Sequence, residues 1–227
     1  MPKTHIITGH YGSGKTEFCV NLALDIARNT GEKVTIADMD VINPYFRSRE
    51  KAQMLAAHGI TVMGDCLDLN TGQDIPAVSY AFLSRINRGE NVIVDLGGGE
   101  NGIKLLAACY KTIIDNSEQW GYNFLCVLNL FRHETGTAEK MTDFIRHINS
   151  LCKIPITALV NNGHMLHDTE GRHVLESQSA SLEVARTLGL PLQYNLIKSD
   201  VYEQIKGDIK SEKVLSFDSL QMREVWQ

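Results

Sequence analysis

No stretch of this 227-residue chain is apolar for long enough to span a bilayer: the longest apolar-rich run, Tyr122 to Phe131, is about half of the ~20 residues required. The N-terminus lacks the extended apolar core of a secretory signal, so a cytoplasmic protein that crosses no membrane is expected. Positive charge is in deficit as well. Twenty-two basic against 27 acidic side chains leave a formal charge of −5, the wrong sign for the electrostatic footprint of a nucleic-acid binder. The five cysteines, Cys19, Cys66, Cys109, Cys126 and Cys152, contain no CxxC or CxC pair, which argues against a metal clasp or a redox couple and for buried, reduced thiols. There is no internal repeat, low-complexity tract or Pro/Gly/Ser linker either, so residues 1–227 read as a single domain.

What is present is an alternation of short β-branched runs with longer stretches of helical period, the pattern of a parallel sheet with helices on its faces. Strands are expected at His5 to Thr8, Lys33 to Asp38, Ile60 to Met63, Asn91 to Asp95, Asn123 to Leu130, Ile156 to Asn161 and Leu192 to Leu196. Runs such as Val92-Ile93-Val94 are apolar without a break, as suits strands covered on both sides. The first helix is the clearest connector: Phe18, Leu22 and Ile26 recur every fourth residue and Gly31 supplies a stop. Further helices are expected near Tyr45 to Ala57, Ile75 to Asn87, Gly102 to Asn116, Thr137 to Leu151, Val174 to Leu188 and Val201 to Ile209. The expected architecture is a three-layer α/β sandwich, a mostly parallel sheet of about seven strands between two layers of helices.

Between the first strand and the first helix lies Gly9-His10-Tyr11-Gly12-Ser13-Gly14-Lys15-Thr16, which fits G-x-x-x-x-G-K-[ST]. Glycines let the backbone curl so that successive N–H groups face phosphate oxygens, and the helix N-terminus adds its partial positive charge. Lys15 is placed to neutralise terminal phosphates and the Thr16 hydroxyl to ligate Mg²⁺, with the nucleotide-binding stretch running through Glu17 in the first helical turn.

Two strand ends carry carboxylates. Asp38 and Asp40 are two residues apart and so point the same way at the carboxyl edge of the sheet, where ligands of open α/β sheets bind. One can support a metal-bound water while the other orients an attacking water. Val92-Ile93-Val94-Asp95 followed by Gly97-Gly98-Gly99 has the form of a Walker B carboxylate and a phosphate-sensing loop. A third strand ends at Asn161-Asn162-Gly163-His164. A side-chain amide there can pair with the donor and acceptor of adenine, whereas guanine is usually read by an Asp at the place held by His164, which favours ATP over GTP. Asn162 is read as capping a turn.

These residues, in this order, resemble the CobQ/CobB/MinD/ParA nucleotide-binding family of SIMIBI-class P-loop NTPases. The likeness spans most of the chain and includes Ile197-Lys198-Ser199-Asp200-Val201-Tyr202-Glu203, which is similar to the family's late Ile-Pro-x-Asp segment. The resemblance implies that Lys15 and Thr16 hold phosphates and Mg²⁺, Asp40 orients the hydrolytic water, Asp38 and Asp95 support the metal shell, and Asn161 reads adenine. Partition-type members carry a second lysine early in the loop and reach with it across a dimer. Here His10 and Tyr11 occupy the Lys-Gly positions, so a monomer, or a dimer insensitive to nucleotide, is expected.

The tail from Lys198 to Gln227 has five basic and six acidic residues, too little positive charge for a membrane-targeting helix or a DNA-binding patch. Leu220, Met222, Val225 and Trp226 are expected to cover the core or a partner. His164, His167 and His173 match no zinc spacing and read as a polar loop near the base; Cys66 with Asp65 and Asp68 reads the same way. Three functions remain: an ATPase switch acting on a protein partner, an ATP-dependent small-molecule synthetase or kinase, and a metallocentre maturation ATPase, the last weakened by the missing CxC. The segment Asn43 to Arg49 would discriminate between a switch and an acceptor pocket.

Overall fold

A computed structural model of the chain describes residues 2–40, 51–64 and 81–222. The strands are β1 (Thr4–Gly9), β2 (Val34–Met39), β3 (Ile60–Met63), β4 (Asn91–Leu96), β5 (Tyr122–Leu128), β6 (Ala158–Asn161), β7 (Leu192–Lys198) and β8 (Lys213–Phe217). The helices are α1 (Lys15–Thr30), α2 (Ala52–Ala57), α3 (Leu83–Asn87), α4 (Glu100–Leu106), α5 (Tyr110–Trp120), α6 (Ala138–Leu151), α7 (Gly171–Leu188) and α8 (Ser199–Ile205). All eight strands join one sheet in the order β3-β2-β4-β1-β5-β6-β7-β8, and every pairing is parallel.

Alternation along each strand divides the core in two. Ile6, Val92, Val94, Phe124, Cys126 and Leu159 face one side, where Ile103 and Leu106 of α4, Ile113 of α5, Met141, Ile145 and Ile148 of α6 and Val184 of α7 cover them. Ile7, Ile36, Ile93, Leu125, Val127 and Val160 face the other, against Phe18, Leu22 and Ile26 of α1. This is why the strands read as unbroken apolar runs. Gly31, with φ of 68°, ends α1 and its N–H returns to the Ala27 carbonyl, as its position in the sequence implied.

Two expectations need correction. The helix read from Gly102 to Asn116 is broken: the N–H groups of Ala108 and Cys109 bond three residues back, to Leu105 and Leu106, which tightens the chain into a turn between α4 and α5. β8 was not expected at all. It lies at the sheet edge, and of its residues only Leu215 is buried, so it lacks the apolar run that marks the inner strands. The first parts of the helices expected at Tyr45 to Ala57 and Ile75 to Asn87, together with Asn43 to Arg49, Cys66, Val225 and Trp226, lie outside the described residues. Among the described residues no helix is long and apolar enough to cross a membrane.

The topology positions the site. From β1 the chain builds β2, β3 and β4 on one side, then crosses to β5 on the other and continues outward to β8. The crevice of such a sheet opens at the carboxyl ends of the strands where the winding reverses, which here is the end of β1.

Candidate functional site

At the end of β1 the residues from Gly9 to Thr16 turn directly into α1. Gly14, at φ 90°, precedes the helix, and a Cβ there would fall 2.1 Å from Nδ2 of Asn162, so the loop and the end of β6 approach as closely as glycine allows. That Nδ2 donates to the Ser13 carbonyl at 2.8 Å. Asn162 is therefore a clamp on the phosphate loop and not the turn cap expected of it. Lys15 is buried, with Nζ 3.4 Å from the His10 carbonyl.

The register of β2 on β4 sets Asp38 directly opposite Asp95, both almost fully buried. Among the described residues no donor meets either Asp95 oxygen in full hydrogen-bond geometry, although the Thr16 hydroxyl and Cys19 thiol lie close enough to act on it. Burial, and then the negative charge of Asp38, push its pKa well above the ordinary carboxylate range; the Lys15 ammonium and Thr16 hydroxyl oppose the shift without cancelling it. A buried acid with unfilled acceptor positions beside a hydroxyl, at the mouth of a phosphate loop, fits a hard divalent cation such as Mg²⁺, which takes one or two carboxylates and completes its shell with water and phosphate. Asp40 follows β2, and its N–H donates to Oδ1 of Asp38 at 3.2 Å. Its own carboxylate lies against Gly97, and a Cβ on Gly98 would stand 3.3 Å from the Tyr11 nitrogen and 3.6 Å from Lys15 Nζ. The glycine segment after β4 thus abuts the phosphate loop.

These elements border a cavity of about 690 Å³. Tyr11, Gly12, Gly14, Lys15, Thr16, Glu17 and Asp40 line one part of it; Gly9, His10, Ser13, Asp38 and Asp95 are not among its lining residues. Tyr11 is 63% exposed, whereas the His10 ring packs edge-on against Phe144 of α6, 5.7 Å between centroids. Its lining also takes in Leu166, His167, Lys198, Asp200 and the segment from Phe217 to Met222, together with His164, whose Nε2 would lie 3.5 Å from a Cβ on Gly14 and so sits beside the loop itself. Leu166 has φ of 58°, a left-handed conformation that a branched side chain rarely adopts. The late segment thus meets the cavity at the junction of β7 and α8, where Lys198 and Asp200 are ion-paired at 2.7 Å.

Two expected contacts are relocated. Asn161 does not face the cavity: its Nδ2 donates to Oδ1 of Asn195 at 2.6 Å and to the Val174 carbonyl, and its Oδ1 accepts from the Ser177 and Ser181 hydroxyls. Every hydrogen-bonding position is taken by β7 and α7, so it cannot read a base. Glu17 borders the cavity, but its carboxylate accepts the backbone N–H groups of Gln221 and Met222 at 2.9 and 3.0 Å and the Asn21 amide at 2.8 Å. It anchors the C-terminal segment against α1, and burial raises its pKa.

The TM-score to chloroplast FtsY from Physcomitrella patens is 0.59, with 17% identity over 86% of this chain and 58% of that one. The fold is that of the P-loop NTPases. FtsY from Thermotoga maritima gives a TM-score of 0.54 at 19% identity, covering 86% of this chain and 61% of that one. The 54 kDa signal recognition particle protein from Aeropyrum pernix, in complex with GDP, gives 0.52 at 17%, covering 97% and 43%. The chain therefore spans about three-fifths or less of the length of these neighbours. No family model and no curated protein matches the chain.

Proposed function

We propose that this P-loop protein is a Mg²⁺-dependent ATPase of the CobQ/CobB/MinD/ParA kind, cytoplasmic, whose bound nucleotide switches its affinity for a protein partner. The observation that carries the reading is the convergence of a glycine loop, a buried lysine and two opposed, buried aspartates at the reversal point of a parallel sheet. Lys15 binds the terminal phosphates, and Thr16, Asp38 and Asp95 are the residues that would hold Mg²⁺, which neutralises phosphate charge. Asp40 orients the attacking water from the cavity wall. The Gly97 to Gly99 segment, adjoining both Tyr11 and Lys15, registers the terminal phosphate and passes its presence to α4.

ATP is favoured over GTP because His164 stands at the cavity where a guanine-reading carboxylate would be. One of the similar structures holds GDP, so the base is decided by measurement. Phosphate release should require Mg²⁺, be slow, and be faster with ATP than with GTP. Asp40→Ala should keep ATP binding and lose turnover, because orienting a water acts on the transition state more than on the ground state. Preference for GTP would overturn the base assignment, and turnover surviving in Asp40→Ala but not in Asp38→Ala would reverse the roles of the two aspartates.

A further inference from the structure

The loop leaving β5 is tied by hydrogen bonds of Asn129 and brings one more cation to the site. Asn129 is wholly buried; its Oδ1 accepts the Phe131 N–H at 3.0 Å, its carbonyl accepts the Thr135 hydroxyl at 2.7 Å, and a single 3-10 turn, His133–Thr135, follows. From this turn Arg132 reaches the phosphate loop, where its Nε donates to the Gly12 carbonyl at 2.8 Å. A Cβ on Gly12 would lie 3.4 Å from that Nε and 3.7 Å from Cζ, so the guanidinium packs on the loop, and it forms part of the cavity wall.

A cation is needed at this place. The position that carries a second lysine in partition-type relatives is His10, and its ring is turned onto Phe144 of α6, away from the cavity lining. Lys15 is then the loop's own permanent charge. A Mg²⁺-triphosphate complex remains anionic after one ammonium is added. A guanidinium has donors enough to hold a carbonyl with Nε and an anion with its terminal nitrogens.

We propose that Arg132 binds the phosphate chain of the nucleotide from within the same chain, gripping the Gly12 carbonyl with Nε and a phosphate oxygen with its Nη groups, and so supplies the charge missing at His10. This rests on the reading of the cavity as a nucleoside triphosphate site.

The test is calorimetry with two probes, Mg²⁺-ATP and inorganic tripolyphosphate, at low and high salt, on the wild-type protein, Arg132→Gln and Arg132→Lys. Arg132→Gln should weaken both probes at least about tenfold, as expected for a charge-assisted contact, and flatten the salt dependence. Arg132→Lys should recover part of both. Equal affinities would overturn the proposal, and so would weaker binding with an unchanged salt dependence, which would make Arg132 a clamp on Gly12 and nothing more. If Arg132→Gln does not fold, modification of wild-type Arg132 by phenylglyoxal decides: protection by tripolyphosphate is expected, and its absence overturns the proposal. Wild-type protein that binds neither probe would overturn the nucleotide reading itself.

Discussion

Asp95 and Asp38 lie opposite each other on neighbouring strands, and the cost of ionising Asp95 there appears as a raised pKa caused first by burial and then by Asp38. A folded-state pKa above the unfolded one means that the charged carboxylate destabilises the fold at high pH. The penalty fades as the pH falls through the folded value towards the unfolded value of about 3.9. Asp95→Asn should therefore raise the melting temperature at pH 8, by roughly 2–4 °C for each kcal/mol relieved, with a smaller gain at pH 5, while weakening Mg²⁺-dependent ATP binding. A lower melting temperature at pH 8 would show that the carboxylate supports the sheet edge. Lys15, Thr16, Asp38 and Asp95 could be proposed from the sequence because each belongs to a local pattern with a chemical reason. Arg132 and Asn162 were not, since they meet the phosphate loop from 120 and 149 residues away and only the folded sheet brings them there.

β6 shows what the same limit means for an element. Its position was legible, but not which of two adjacent asparagines faces the phosphate loop: Asn161 turns into α7 and β7, and Asn162 towards Ser13. Asn161→Ala should cost about 1–3 kcal/mol of stability, by leaving Ser177 and Asn195 short of buried partners, and change ATP affinity little. Asn162→Ala should do the reverse. Thermal melts and ATP titrations of both variants check this, and loss of ATP affinity in Asn161→Ala alone would restore the adenine-reading role. The inner strands were read from apolar runs that both helical layers bury. β8 escaped because an edge strand needs only one buried side chain, and the break between α4 and α5 escaped because the apolar period of Ile103, Leu106 and Ile113 continues through the turn.

At the scale of the molecule, the carboxyl ends of β1, β2 and β5 bring Lys15, Asp40 and Arg132 to the cavity wall, while Asp38 and Asp95 stay buried in the sheet behind it. The glycine segment beyond β4 passes into α4, which packs on α6, so the proposed phosphate contact at Gly98 would be linked to that helix pair. On the proposal that Arg132 supplies charge in cis, and with His10 packed on Phe144, a second copy would not be needed to complete the site. Asp40→Ala protein should consequently scatter light as the same species in Mg²⁺-ATP and Mg²⁺-ADP at about pH 7.5, where an ordinary imidazole is largely uncharged. A dimer formed in ATP alone would show that a group in trans does the second lysine's work. The central claim, that the loop from Gly9 to Thr16 is a triphosphate site, is tested most directly by calorimetric titration of Mg²⁺-ATP into wild-type and Lys15→Ala protein. The wild type should bind one ATP per chain and Lys15→Ala at least about tenfold more weakly, since the buried ammonium is the main partner of the terminal phosphates; equal affinity for the two proteins would contradict the account.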